Sequence, residues 1–163
     1  MRLRPATALA VLLAAPAAHA QVSNHAIAVE SGVSAPLAVG GGGGATFAVS
    51  ASTWIAGDVE GFARGAWTSA GRTAGRGADA ATVGTLGLRL SLGPAPLRVQ
   101  LLADVGWARV DASPVPEDRL AYGLGAGIEL FAATDLSIGA RALLRGAGGD
   151  LRLEPALAVA VYF

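Results

Sequence analysis

Nucleophilic chemistry needs a hydroxyl, thiol or carboxylate within hydrogen-bond reach of a base, and this 163-residue sequence offers few such partners. It has no cysteine, which excludes thiol catalysis and Cys-ligated metal. Of its two histidines, His19 and His25, only His25 lies beyond the N-terminal segment, with Ser69 and Ser113 as the hydroxyls an acyl-transfer reading would draw on. Five consecutive glycines, Gly40 to Gly44, invite comparison with a phosphate-cradling loop, but no Gly-Lys-Ser/Thr follows and no helix is predicted after them. Asp111, Glu117 and Asp118 form an acidic group whose spacing matches no calcium motif. No cofactor and no metal is expected. Arg72 and Arg76 carry guanidinium groups of the kind that match phosphate geometry.

A larger set of charges is more informative. Glu30, Glu60, Arg64, Arg89, Arg98, Asp104, Glu129 and Arg141 all fall on the polar parity of segments that alternate with a period of two. The clearest segment sets Leu86, Leu88, Leu90 and Leu92 against Thr85, Gly87, Arg89 and Ser91. The next sets Leu97, Val99, Leu101, Ala103, Val105 and Trp107 against Arg98, Gln100, Leu102, Asp104 and Gly106, with Leu102 out of pattern. Leu120 to Leu130, Leu136 to Arg145 and Arg152 to Phe163 repeat the alternation; Ile27 to Val33, Thr46 to Ser52 and Val59 to Thr68 show it more weakly, and Phe62 interrupts the polar face of the last. Eight antiparallel strands are thereby predicted. Three short connections, Ala56 to Asp58, Gly93 to Pro96 and Ala132 to Thr134, alternate with four that are mostly longer: Ser34 to Gly44, Gly71 to Ala81, Asp111 to Asp118 and Gly146 to Asp150.

Residues 1–20 read as a secretory signal peptide, with Arg2 and Arg4, an apolar stretch from Ala6 to Ala15, and Ala18-His19-Ala20 as the cleavage site. Cleavage leaves residues 21–163 as one domain. It removes two of twelve basic residues and no acidic one, so ten arginines face twelve acids at a formal charge of −2. That balance argues against nucleic acid as a partner. Every basic residue is arginine. Hydrophobic residues make up 53% of the chain and mean hydropathy is +0.51, yet no stretch of about 18 uncharged apolar residues follows the leader, as a spanning helix would require.

A strand pair hides its apolar residues in alternate positions, so a membrane barrel accounts for both observations. Side-chain size sets the direction of the two faces: Gly, Ala, Ser and Thr with scattered charges fit a narrow eight-stranded interior, whereas the Leu, Val and Ile of the other face would overfill it. The apolar face is therefore expected to look outward. Trp67, Trp107 and Tyr122 then stand near one rim as an aromatic girdle, with Phe163 at the other. The eight inward charges, with Arg152 and Glu154 near the loop end, are expected to form a salt-bridge network that plugs the barrel, because a charge withdrawn from water must be paired. The same residues would also suit the lining of a narrow pore.

The eight alternating segments, the three tight turns and the ending Leu157-Ala158-Val159-Ala160-Val161-Tyr162-Phe163 resemble the small outer-membrane β-barrel proteins, of the kind seen in the OmpA transmembrane domain and OmpX. The resemblance implies an all-β, eight-stranded antiparallel up-and-down barrel in a Gram-negative outer membrane. It implies outer-membrane lipid and lipopolysaccharide as surroundings and the outer-membrane assembly machinery as a partner through the C-terminal strand. Arg72 and Arg76, by their guanidinium geometry, are candidate contacts to lipopolysaccharide phosphates, but exposed loop arginines are more often simply solvated. A monomer with a structural or surface-interaction role and no catalysis is expected. No peptidoglycan-binding domain follows Phe163, so the anchoring role of full-length OmpA is not carried over. A narrow porin-like channel and a lipid A-modifying enzyme remain as alternatives, as does a soluble lipocalin-like carrier with its apolar face inside. For the enzyme, His25 lies before the first strand, far from Ser69 and Ser113 at the loop rim.

Overall fold

The computed structural model describes residues 24–37, 42–69, 80–111 and 115–163. The proposed leader, Gly40 and Gly41 of the glycine run, Arg72, Arg76 and Ser113 lie outside these described residues. The strands are β1 (His25–Pro36), β2 (Gly44–Ala56), β3 (Val59–Thr68), β4 (Ala81–Leu92), β5 (Leu97–Val110), β6 (Glu117–Phe131), β7 (Leu136–Ala147) and β8 (Asp150–Tyr162). Each pairs antiparallel with its sequence neighbours, and β1 pairs with β8 to close the barrel.

The seam between β1 and β8 runs from Ala26 opposite Tyr162 to Pro36 opposite Arg152. At its terminal end the His25 and Phe163 amides each donate to the other residue's carbonyl, at 3.3 and 2.9 Å. Closure leaves no edge strand, and that is what allows a sheet to sit where water cannot satisfy backbone groups.

The burial pattern is inverted relative to a soluble protein. Along β1, Ala26, Ala28 and Glu30 are buried while Ile27 and Val29 are exposed. Leu86, Leu124 and Leu157 each leave more than 60% of their surface uncovered, whereas Glu30 and Glu60 leave 1%. Large apolar side chains therefore cover the outer wall and charges occupy the lumen. This is the surface that hydrocarbon, not water, would solvate.

Two inward apolar residues that interrupt the sequence pattern help fill the lumen: Phe62 and Leu102 are both buried. Phe62 fits because its neighbour opposite is glycine. A Cβ on Gly87 would stand 2.5 Å from the ring. On the outer wall Tyr122 lies over Gly146 in the same way, with its Cζ 2.2 Å from where a Cβ would be.

The strands meet the predicted segments closely, but the fourth long connection is a tight hairpin. β7 ends at Ala147 and β8 begins at Asp150, joined by Gly148 and Gly149 at φ +57° and +96°. Two successive left-handed residues make the primed turn whose twist matches antiparallel strands, and glycine adopts it without Cβ strain.

The inverted wall makes a prediction. Leu124→Arg, on the outer face of β6, should destabilise the barrel in lipid vesicles by about 2–4 kcal/mol, the cost of arginine near a bilayer midplane. Urea unfolding monitored by tryptophan fluorescence measures it. An unchanged midpoint would mean that water covers this face.

Candidate functional site

The lumen is lined by side chains that alternate with the outward apolar set, and its charges assemble in a defined order. Near mid-barrel, Glu30 of β1 accepts from Arg64 Nε of β3 at 3.1 Å and from Arg141 Nη1 of β7 at 2.7 Å. Toward the loop end, Arg145 of β7 grips Asp104 of β5 with both terminal nitrogens at 3.0 Å, and its Nε donates to Glu154 of β8 at 3.1 Å. Arg64 Nη2 lies 3.9 Å from the same Glu154 oxygen. Arg141, Glu30, Arg64, Glu154, Arg145 and Asp104 thus form one chain of alternating sign with no net charge. It draws on β1, β3, β5, β7 and β8, and all six side chains leave 4% or less of their surface exposed.

The end carrying the termini is organised differently. Glu60 of β3 pairs with Arg89 of β4 and accepts from Ser91 Oγ at 3.1 Å, while Arg89 Nη2 also donates to Ser52 Oγ at 2.9 Å. Glu129 of β6 has no arginine partner among the described residues. It accepts from Gln100 Nε2 at 2.8 Å, Ser137 Oγ at 2.5 Å and the Tyr162 hydroxyl at 2.6 Å. Arg98 stands opposite Glu129 in the β5–β6 register, but its guanidinium lies over aromatic rings, 4.8 Å from the centre of Phe131 and 5.5 Å from that of Trp54. Ring faces replace the carboxylate as the group that receives its charge.

Glycine makes room for this network. The inward residues of β6 include Gly123, Gly125 and Gly127. A Cβ on Gly123 would be 2.6 Å from Asp104 Oδ1, one on Gly125 3.0 Å from Leu143 Cγ, and one on Gly127 3.0 Å from Arg141 Cγ. The alternate glycines of one strand thereby admit the large side chains of the two strands beside it.

All eight charges singled out in the sequence point into the lumen. Glu30, Arg64, Arg141 and Asp104 lie on the continuous chain; Glu60 and Arg89 form a separate pair; Glu129 and Arg98 make no ion pair among the described residues. Arg145 was legible only as an inward residue of its strand, and it proves to be the cation that joins Asp104 to Glu154. The neutral partners of Glu129 carry the same parity signal, which marks a lumenal position but not the carboxylate it serves.

The aromatic set lies on the outer wall. Trp67, Trp107, Tyr122 and Phe163 are 49–61% exposed; Trp107 sits opposite Leu120 and Gly84, and Tyr122 opposite Val105. Of the residues weighed for nucleophilic catalysis, His25 and Ser69 lie at opposite ends. His25 stacks near Phe163 at the terminal end, ring centres 6.2 Å apart, while Ser69 exchanges hydrogen bonds with the Ala45 backbone at the loop end. At that end Arg119 binds Glu117 Oε2 at 2.7 Å and Asp150 Oδ2 at 2.9 Å.

No protein-family model matches the chain, and no curated protein matches its sequence. Its fold is that of solved small outer-membrane barrels. Neisserial surface protein A superposes with a TM-score of 0.71 at 14% identity, over 87% of this chain and 99% of that one. Ail, the attachment invasion locus protein of Yersinia pestis, gives 0.57 at 16% identity, over 86% and 98%. The outer membrane enzyme PagL gives 0.57 at 16% identity, over 83% and 99%. A surface protein, an attachment protein and an enzyme thus share this eight-stranded frame, so the frame alone selects no activity.

The network predicts unequal costs. Glu30→Ala strands Arg64 and Arg141 without their carboxylate and should lower unfolding stability by about 3–5 kcal/mol. Glu129→Gln, facing neutral donors only, should cost less, about 1–3 kcal/mol. Equilibrium urea unfolding of both variants in the same detergent checks the order; the reverse order would remove charge pairing as the organising element of the lumen.

Proposed function

We propose that this chain is an integral protein of the bacterial outer membrane, with a barrel closed by its own lumenal side chains and a structural or surface-interaction role that involves no catalysis. The observation that carries this reading is the inverted wall: Leu86, Leu124 and Leu157 lie bare outside while Glu30, Glu60 and Arg89 are buried inside. In water such a surface would aggregate. In a bilayer it is the stable arrangement, with the outward aromatics at the two interfaces.

In this reading residues 1–20 are the exported leader, cleaved after Ala20, and residues 21–163 the mature barrel. The termini face the periplasm and the longer connections face outside. Outer-membrane lipid and lipopolysaccharide surround the wall, and the assembly machinery engages the strand ending at Phe163. A closed sheet offers no edge for another chain, which supports a monomer. The chain of paired charges from Arg141 to Asp104 crosses the lumen and supports a plugged barrel over a narrow porin-like channel. The separation of His25 from Ser69 by the length of the barrel supports a non-catalytic role over lipid A modification.

Expression of the full-length chain in a Gram-negative host tests the reading. The protein should fractionate with the outer membrane and change gel mobility on boiling in detergent, because a closed hydrogen-bonded barrel resists detergent until heated. Recovery as a soluble periplasmic protein would contradict it and would favour a carrier.

A further inference from the structure

At the loop end the lumen opens into a small vestibule of about 90 Å³, walled by residues that include Thr68, Arg119, Arg145, Asp150, Arg152 and Glu154. Its three arginines come from adjacent strands. Arg145 and Arg152 are direct cross-strand partners between β7 and β8. Like charges opposed in this way repel unless each has a counter-charge. Arg145 has two, Asp104 and Glu154, which occupy its Nε and both terminal nitrogens. Arg119 has Glu117 and Asp150, which likewise engage all three of its nitrogens. Arg152, half-buried in the same wall, has no hydrogen-bond or ion-pair partner among the described residues.

We propose that the vestibule is a binding site for a single tetrahedral oxyanion, a phosphate or sulfate group, held by the Arg152 guanidinium, since the charges of Arg145 and Arg119 beside it are already matched by Asp104, Glu154, Glu117 and Asp150. Arg152 supplies the planar fork of donors that such a group accepts from. Thr68 adds a hydroxyl at the cavity wall, its Oγ1 otherwise only 3.4 Å from that of Thr46. The volume is below the roughly 150 Å³ of a cavity that takes up benzene, so the site admits one substituent group and not a sugar ring. The ligand class is therefore a free inorganic anion, or a phosphorylated or sulfated sugar that inserts one group while its ring stays above the mouth. Lipid headgroups are disfavoured by direction: Arg119, Arg145 and Arg152 face the lumen, while lipid meets the outer wall. The outer-membrane reading adds only that this mouth opens to the cell exterior; binding by the purified barrel does not depend on it.

The test uses the refolded full-length mature barrel in a non-ionic detergent, titrated calorimetrically at low ionic strength with inorganic phosphate, inorganic sulfate and a sulfated disaccharide. Heat-dependent gel mobility verifies that each variant is folded. The parent should bind at least one of the three, Arg152→Gln should weaken that binding about tenfold or more, as expected for loss of a charge-assisted contact, and Arg152→Lys should fall between them. Binding of the disaccharide alone assigns the site to a sugar-borne group, and binding of the inorganic ions assigns it to free anions. Absence of binding by the parent, or equal binding by Arg152→Gln, overturns the site. Displacement of the bound anion on transfer to nanodiscs of anionic phospholipid, but not of phosphatidylcholine, would overturn its assignment to a ligand from solution.

Discussion

Closure of the sheet on itself is the constraint from which the other features follow. Once β8 pairs with β1, every strand has two neighbours and the main chain needs no water. With eight strands the enclosed space is only wide enough for side chains. Most inward residues must then be small, and the few large ones must be accommodated individually. The glycines of β6 beneath Asp104, Leu143 and Arg141, and Gly87 beneath Phe62, are that accommodation. The bulk that cannot fit inside is carried on the outer wall.

A narrow lumen also decides how charge is handled. An arginine or carboxylate withdrawn from water needs an opposite charge, or a polar or aromatic group that receives its charge. The chain from Arg141 through Glu30, Arg64, Glu154 and Arg145 to Asp104 meets this requirement with equal numbers of each sign. Glu129 meets it with three neutral donors, and Arg98 with two ring faces. Arg152, at the mouth, has no such partner among the described residues. Among the described residues the lumen therefore reads as a neutral plug topped by the Arg152 guanidinium.

The sequence carried the fold in its alternation. Leu86 to Leu92 and Leu97 to Trp107 each mark two faces, and the small residues opposite the leucines indicate which face is inside. Pairing within the lumen was less legible, because parity places a residue inside without stating which strand across the barrel it reaches. Arg98 illustrates this: its register partner is Glu129, but its guanidinium lies over the rings of Trp54 and Phe131. Trp54 extends β2 beyond the segment in which alternation could be read, next to a register shift between Trp54 and Ala56. The Gly148-Gly149 turn was obscured for another reason: composition marks a connection, but its length depends on where the flanking strands stop pairing.

The direction in which the two faces point can be measured with the protein's own tryptophans. Trp67 and Trp107 are on the outer wall, half or more exposed, whereas Trp54 lies in the lumen against Arg98. Three variants that each retain one tryptophan, folded into vesicles whose acyl chains carry a nitroxide quencher, separate the alternatives. Strong quenching of Trp67 and Trp107 with Trp54 spared is the predicted result. Quenching of Trp54, or protection of both outer tryptophans from the lipid quencher, would contradict the inverted barrel.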